Sequence, residues 1–431
     1  MKRQTFIKTA AAAGAAAAAP VATRTSARAQ MRSATGGSIT LLATPNFSPS
    51  GDDVFRDELK RWSAAHSGWT ATLETISGND LQAKTSASVQ SGSGPDIIQM
   101  QYNWPWLYPQ ACVDVSDVAD RIQRRQGLFY DNIAQQVRVH GRYLGIPWTY
   151  NATAWHYRTD LMQQIGMGKF PETYDEVTGL VKKIAATKTI PLGQALGHAY
   201  GDANTFWYGV FWSFGGKEVL KDGKTVAINS PETLKSLQWA IDFWYSGGVD
   251  QSGLSWDDSS NNRAYLSKTI SVTMNGASIY RVAQQKDPEL AKITGVALPC
   301  RGPKAHALIQ LSFGHSVMKW AKDASACKDL IEFLMARQNY GPWLTAAGLG
   351  AYPGTACDDL AMWKDPKMAV FNESVKLGRW PGWPGPANKA SSEVETRYMI
   401  VDMYARAIQT KDAKGALAAT EKAMAQIYGH S

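Results

Sequence analysis

An α/β fold in two lobes is the class this sequence predicts, and three observations carry the prediction. Strand-like runs alternate with helix-like ones, which favours parallel pairing through crossover helices. Some 400 residues follow a leader-like N-terminus, too many for one ordinary core when a domain commonly holds about 100 to 200. Apolar strands also end at proline or turn residues followed by aromatic and amide side chains, as where an open sheet delivers groups to a ligand crevice.

Residues 1–29 read as an export leader. Lys2, Arg3 and Lys8 form a basic start, Ala10 to Ala19 a small, weakly apolar run, and Ala27-Arg28-Ala29 an A-x-A cleavage site before Gln30. The run is shorter than the ~20 apolar residues a membrane span needs. Arg3-Gln4-Thr5-Phe6-Ile7-Lys8 resembles the twin-arginine export motif with glutamine in the second arginine position, which leaves the export route open. No cysteine near the cleavage point suggests a lipoprotein. Lys2, Arg3, Lys8, Arg24 and Arg28 go with the leader, so the formal charge of +8 falls to +3. No cluster of lysine and arginine with interleaved aromatics remains that would track a phosphate backbone, and nucleic acid is not an expected partner.

Strands are expected at Ser38 to Ala43, Trp69 to Ile76, Asp96 to Met100 and Tyr143 to Pro147, with helices at Val54 to His66 and Leu81 to Ser91. Alternation predicts mostly parallel sheets. Pro147 cannot donate to a ladder, so the chain is expected to leave its sheet there. Trp148, Tyr150 and Asn151 follow that exit and are candidates for ligand contact, although the two aromatics would serve equally as core. Thr173 and Glu176 form a capping box that predicts a helix start. A further helix is expected over Pro231 to Tyr245, with Trp239 and Trp244 packed in the core, as Trp62 should be on the first helix. The proline-rich Trp380 to Pro386 stretch reads as an ordered loop.

Chemistry-bearing motifs are sparse. Cys112, Cys300, Cys327 and Cys357 form no metal motif. Four cysteines allow three pairings, Cys300 with Cys357 among them, and buried thiols are the alternative. His66, His140, His156, His198, His306 and His315 show no HExxH spacing, and there is no G-x-S-x-G elbow, P-loop or G-x-G-x-x-G after a strand. No cofactor is expected. A glycosidase stays open, because its two acids need only meet in space.

Gly94-Pro95-Asp96-Ile97-Ile98, Leu144-Gly145-Ile146-Pro147 and Trp155-His156-Tyr157-Arg158-Thr159-Asp160-Leu161 occur in the order of blocks in family 1 extracellular solute-binding proteins of ABC importers. So do Gly215-Gly216, Val226 to Glu232, Tyr265-Leu266-Ser267-Lys268, Met274-Asn275-Gly276, Leu330 to Leu334 and Gly348 to Pro353. The mature chain resembles that family over nearly its whole length. Arg158 replaces its usual asparagine, and Ser278 stands where an aromatic is common.

The resemblance implies a two-lobe, type II-like periplasmic-binding-protein fold, a monomer that closes on one solute and delivers it to a membrane permease. The implied crossings lie near Pro147, Leu311 and Ala347. The N-terminal lobe would then hold 38–147 and 312–346, and the C-terminal lobe 148–311 and 347–431. Candidate cleft residues are Asn46, Tyr102, Asn103, Trp104, Trp148, Tyr150, Asn151, Asp202, Trp207, Trp256, Asn275 and Trp380. Flat apolar faces mixed with amides and a carboxylate suit a sugar or polyol. On this reading no bond is made or broken, and Trp104→Ala or Trp148→Ala weakens binding with little loss of fold. A secreted carbohydrate-active enzyme with a carboxylate pair in the same cleft is the rival.

Overall fold

The computed structural model describes residues 36–429, so the expected leader and its cleavage point lie outside the described residues. The expected early elements are present. Strands run over Gly37–Ala43, Trp69–Thr75 and Ile97–Gln101, with helices at Pro49–Ala65 and Gly78–Ser91 between them. The Thr173 hydroxyl accepts from the Glu176 amide and the Glu176 carboxylate accepts from the Thr173 amide, which starts the helix Tyr174–Thr187 where the capping box placed it.

The first sheet has the order Trp69–Thr75, Gly37–Ala43, Ile97–Gln101, Leu311–Val317, Ile146–Asn151. Its first three strands pair in parallel, joined by right-sized helical crossovers. The Leu311 strand enters from the far lobe and runs antiparallel to both neighbours. A second sheet centres on Thr153–Arg158, flanked antiparallel by Val272–Gly276 and Thr294–Ala297. Within these two sheets parallel pairing is therefore confined to the chain's first three strands, and elsewhere the short strands Leu308–Ile309 and Gly378–Arg379 also pair in parallel. Wherever a strand arrives from another lobe, its direction is set by the crossing and not by a βαβ unit.

Pro147 does not end its strand. The strand continues to Asn151 because it is the sheet's edge and Pro147 costs it no obligatory ladder bond. Pro147 pairs with Gly314 and Thr149 with Phe313, so Trp148 is the extra residue of a bulge. The first crossing falls at Ala152, between the last residue of one sheet and the first of the other. The second falls at Gln310, just before the Leu311 strand. After the helix Arg337–Ala347 the chain stays with the first sheet, Ala351 bridging Tyr150 and the Pro353 carbonyl accepting from Tyr130 N, and by Asp365 it bonds Tyr280 of the second lobe.

Trp62, Trp239 and Trp244 are buried, as expected. The helix Asp202–Phe214 is buried on every side, between the helices Pro231–Trp244 and Met399–Thr410 and the short strand Leu308–Ile309. All four cysteines are buried free thiols, so Cys300 and Cys357 are not bridged. Among the described residues no helix is long and apolar enough to cross a membrane.

Candidate functional site

A cavity of about 450 Å³ lies between the two sheets. The first lobe lines it with Thr44 to Phe47 after the first strand, Gln99, the edge strand's Trp148, Thr149 and Asn151, and the Gly78 turn. The second lobe contributes Thr153, Tyr200, Asp202, Thr205, Asp257, Asp258, Asn262, Asn275 and Ser278.

Five candidates meet here: Asn46, Trp148, Asn151, Asp202 and Asn275. Asn46 is pinned by Asp52, whose Oδ1 accepts from its backbone N at 3.0 Å and its Nδ2 at 2.7 Å. Asn275 Nδ2 donates toward Asn262 Oδ1 at 2.6 Å, Asn261 Oδ1 at 3.0 Å and Asp202 Oδ2 at 3.1 Å. Asn262 Nδ2 donates to Ser278 Oγ at 2.8 Å, so the position where the family often carries an aromatic is an ordered hydroxyl at the cavity wall.

Trp148 reaches the cavity with little of itself. It is 1 % exposed, with ring centroids 4.7 Å from His315, 4.6 Å from Trp343 and 4.8 Å from Tyr340. Its main role is core packing behind the first-lobe wall, and Trp148→Ala is a folding variant before it is a binding one.

Seven candidates lie elsewhere. Tyr102, at φ 43°, turns the chain after the Ile97 strand, and its hydroxyl donates to the Tyr200 carbonyl at 3.0 Å. Asn103 and Trp104 follow it away from the cavity. Asn103 Nδ2 donates to Ser391 Oγ at 2.9 Å, and Trp104 Nε1 to Glu395 Oε2 at 2.9 Å. Tyr150 packs on Tyr130, on the face opposite Thr149 and Asn151. Trp207 donates to the Ala195 carbonyl and stacks on Tyr404. Trp256 donates to Ser252, and its ring edge faces Gly193. Trp380 donates to the Gly385 carbonyl within its own loop.

The residues that sequence reasoning missed are mostly acidic or small. Asp258 Oδ1 accepts from Gly201 N and Asp202 N, both at 2.8 Å, and so caps the helix that carries Asp202. Burial and then the charge of Asp258 push the Asp202 carboxyl well above the usual range. Burial pushes Asp258 up as well, against those two backbone donors. Burial alone would raise Asp257, but bonds from Ser260 and Ser259 and the charge of Arg263 bring it below the usual value. The consecutive acids Asp257-Asp258 ahead of the Ser-Ser-Asn-Asn run were the available signal. Gly78 permits a close approach of the lobes: a Cβ there would sit 2.0 Å from the Tyr200 ring.

Among the described residues no group of three or more His, Cys, Asp or Glu is placed to hold a metal ion. The cavity can offer amides, hydroxyls and carboxyls to a polar solute, with apolar contact from Phe47, Phe55 and the Trp148 edge.

A family model described as bacterial extracellular solute-binding protein matches residues 59–370. A Deinococcus radiodurans protein named a probable ABC transporter-binding protein is 22% identical over 254 residues, 57% of this chain and 59% of that protein. The match thus spans less than two thirds of that relative. Among solved structures, a solute-binding protein of Thermotoga lettingae bound with α-D-tagatose superposes at TM-score 0.79 and 16% identity, covering 91% of this chain and 100% of that one. A sugar transporter protein of Arthrobacter chlorophenolicus with bound laminaribiose gives 0.79 at 15% identity, over 90% and 98%. A maltose-bound protein of T. maritima gives 0.76 at 19% identity, over 90% and 98%. At these identities the likeness establishes the fold, two lobes of mixed helix and sheet.

Proposed function

Because the chain belongs to the bacterial extracellular solute-binding protein family, we propose that it is the receptor of an ABC importer, capturing a carbohydrate or polyol by lobe closure. The observation that carries the reading is the cavity itself, about 450 Å³ and walled from both lobes by amide, hydroxyl and carboxyl groups, with apolar faces beside them. A solute that touches both walls binds the closed state better than the open one and shifts the population toward it. On this proposal the protein acts outside the cytoplasm as a monomer, after loss of residues 1–29, and passes its solute unchanged to the permease subunits. The sugars bound by the structural neighbours support a carbohydrate as the solute class.

The test is a thermal-shift screen of ligand-stripped protein against mono- and oligosaccharides, polyols, sugar acids and sugar phosphates. A solute present at 100 times its dissociation constant should add about 2.7 kcal/mol of stability. A cooperative melt that no carbohydrate shifts overturns the reading.

The carboxyls of Asp202 and Asp258, both raised and side by side, also keep the glycosidase reading in view. Mass spectrometry of the solute recovered after prolonged incubation separates the two. Intact solute supports a receptor, and cleaved product an enzyme.

A further inference from the structure

The cavity carries a charge imbalance that its lining does not resolve. Asp52 projects from the first lobe, and Asp202, Asp257 and Asp258 from the second, while no lysine, arginine or histidine is among the described residues that line it. Asp257 is answered by Arg263 at 3.1 Å, and Asp52 by the amide of Asn46. Asp202 and Asp258 are met only by neutral groups: the Asn275 and Asn261 amides for the first, two backbone N–H groups and the Tyr200 hydroxyl for the second. Closing the lobes draws these acids out of water, and a buried carboxylate without a positive partner costs several kcal/mol.

A second observation points to a missing donor and acceptor at the same place. Thr153, the first residue beyond the crossing, is 3 % exposed and lines the cavity, and its hydroxyl has no hydrogen-bond partner. A buried hydroxyl left unanswered awaits a group from the occupant. A bare metal ion does not fit, since no set of three ligating side chains converges.

We propose that the solute is a polyhydroxylated molecule carrying a protonated amine, its ammonium paired with Asp202 and Asp258 and its hydroxyls with Asn46, Thr153 and Asn275. This rests on the receptor reading above and names the solute class of that same site. An ammonium there offsets the burial and mutual repulsion that push both carboxyls up, so that they can bind ionised, and its three donors match carboxyl oxygens already oriented by Asn275 and the helix start. Sugar acids and sugar phosphates are excluded by the same field, because each would bring a further negative charge into a lining that holds no cation.

The experiment is calorimetric titration of ligand-stripped protein at pH 6.5 with matched β-1,4-linked disaccharides of glucosamine and of glucose, and with glucuronate and glucose 6-phosphate. The glucosamine disaccharide should bind at least tenfold more tightly than its hydroxyl counterpart, and the two anions not at all. Asp202→Asn should erase the tenfold preference, read as the ratio of its affinities for the two disaccharides whatever their absolute values, and the wild-type comparison stands alone if that variant does not fold. Equal affinity for the matched pair, or tightest binding of an anion, overturns this inference and leaves the receptor reading intact. No binding by any of the four, together with a flat carbohydrate thermal screen, removes both.

Discussion

Glu395 and Asp202 are both carboxylic acids taken out of water where the lobes meet, at 2 % and 7 % exposure, and they differ in what answers them. Glu395 Oε2 accepts from Trp104 Nε1 across the lobes, and Oε1 from Asn204 Nδ2 at 3.1 Å within its own. Its neighbours Ser391 and Ser392 bond Asn103 on both its amide and its carbonyl. Every partner there comes from the chain, and the region is a clasp. Asp202 faces a cavity, with only the neutral amides of Asn275 and Asn261 in attendance and Asp258 repelling it. The same cost of polar burial is met by protein in one place and, on the inference above, left for a solute in the other.

Breaking the clasp should have the largest effect. Trp104→Ala removes a buried ring and the Nε1 donor to Glu395, and we expect a loss of about 3–5 kcal/mol in denaturant unfolding. Affinity of the surviving folded fraction should change far less, and the opposite pattern would place Trp104 in the binding site after all.

Next comes the pH dependence of the clasp. Burial, against the bonds from Trp104 and Asn204, raises the Glu395 carboxyl from 4.5 to about 8. Between those values the folded protein keeps a proton that the unfolded chain has released, so stability falls as pH rises, by at most about 1.4 kcal/mol per pH unit for this group, and levels off above 8. Buried neutral His156 and His315, lowered to about 3, act in the opposite sense below about 6.5. From pH 6.5 to 8 the histidines no longer oppose the decline, but Glu218, which burial also raises to about 8, and His198, raised by Asp402, add to it with the same sign, so the Glu395 share is read as a difference between two proteins. The melting temperature of Glu395→Gln should fall less steeply than wild type over that interval, and parallel curves would show that Glu395 holds no proton there.

On the cavity side, Gly78→Val should act through closure. Its side chain would enter the space of the Tyr200 ring, so affinity should drop about tenfold, roughly 1.4 kcal/mol, with an unchanged melting temperature for the free protein. The smallest effect is expected at Thr153, where Thr153→Val removes only an unpartnered hydroxyl: about 0.5–1.5 kcal/mol of affinity, and no loss of stability without solute. A destabilised free protein would mean that the hydroxyl already has a partner.

Much of the fold was legible because periodicity and caps are local signals: the first three strands, their helices and the Thr173 capping box lie where the sequence puts them. Site residues were legible where a strand simply ends, as at Asn46 and Asn275. They were missed where geometry after the element decides the direction. The left-handed Tyr102 sends Asn103 and Trp104 to the clasp. The bulge at Trp148 breaks the alternation there, so Trp148 reaches the cavity while Tyr150, two residues on, does not. On the helix Asp202–Phe214, Asp202 and Thr205 share a face one turn apart, and Trp207 lies on another. Weighting tryptophan over acid favoured Trp256, when its two neighbours Asp257 and Asp258 line the wall.

The one-residue passage at Ala152 gives the cavity an order of events. Asn151 closes one sheet and Thr153 opens the other, so on the proposed closure both would sit beside the pivot and shift little. Groups at a pivot can greet an arriving solute while the mouth is still wide, and they govern how fast it is caught. Gly78 and Tyr200 belong to segments that meet only through space, and on the proposed closure their contact would form late. On the proposed receptor reading, the dwell time of the solute, and with it the window in which a transporter could collect it, would depend on such cross-lobe contacts, the Trp104–Glu395 clasp included, and not on the pivot.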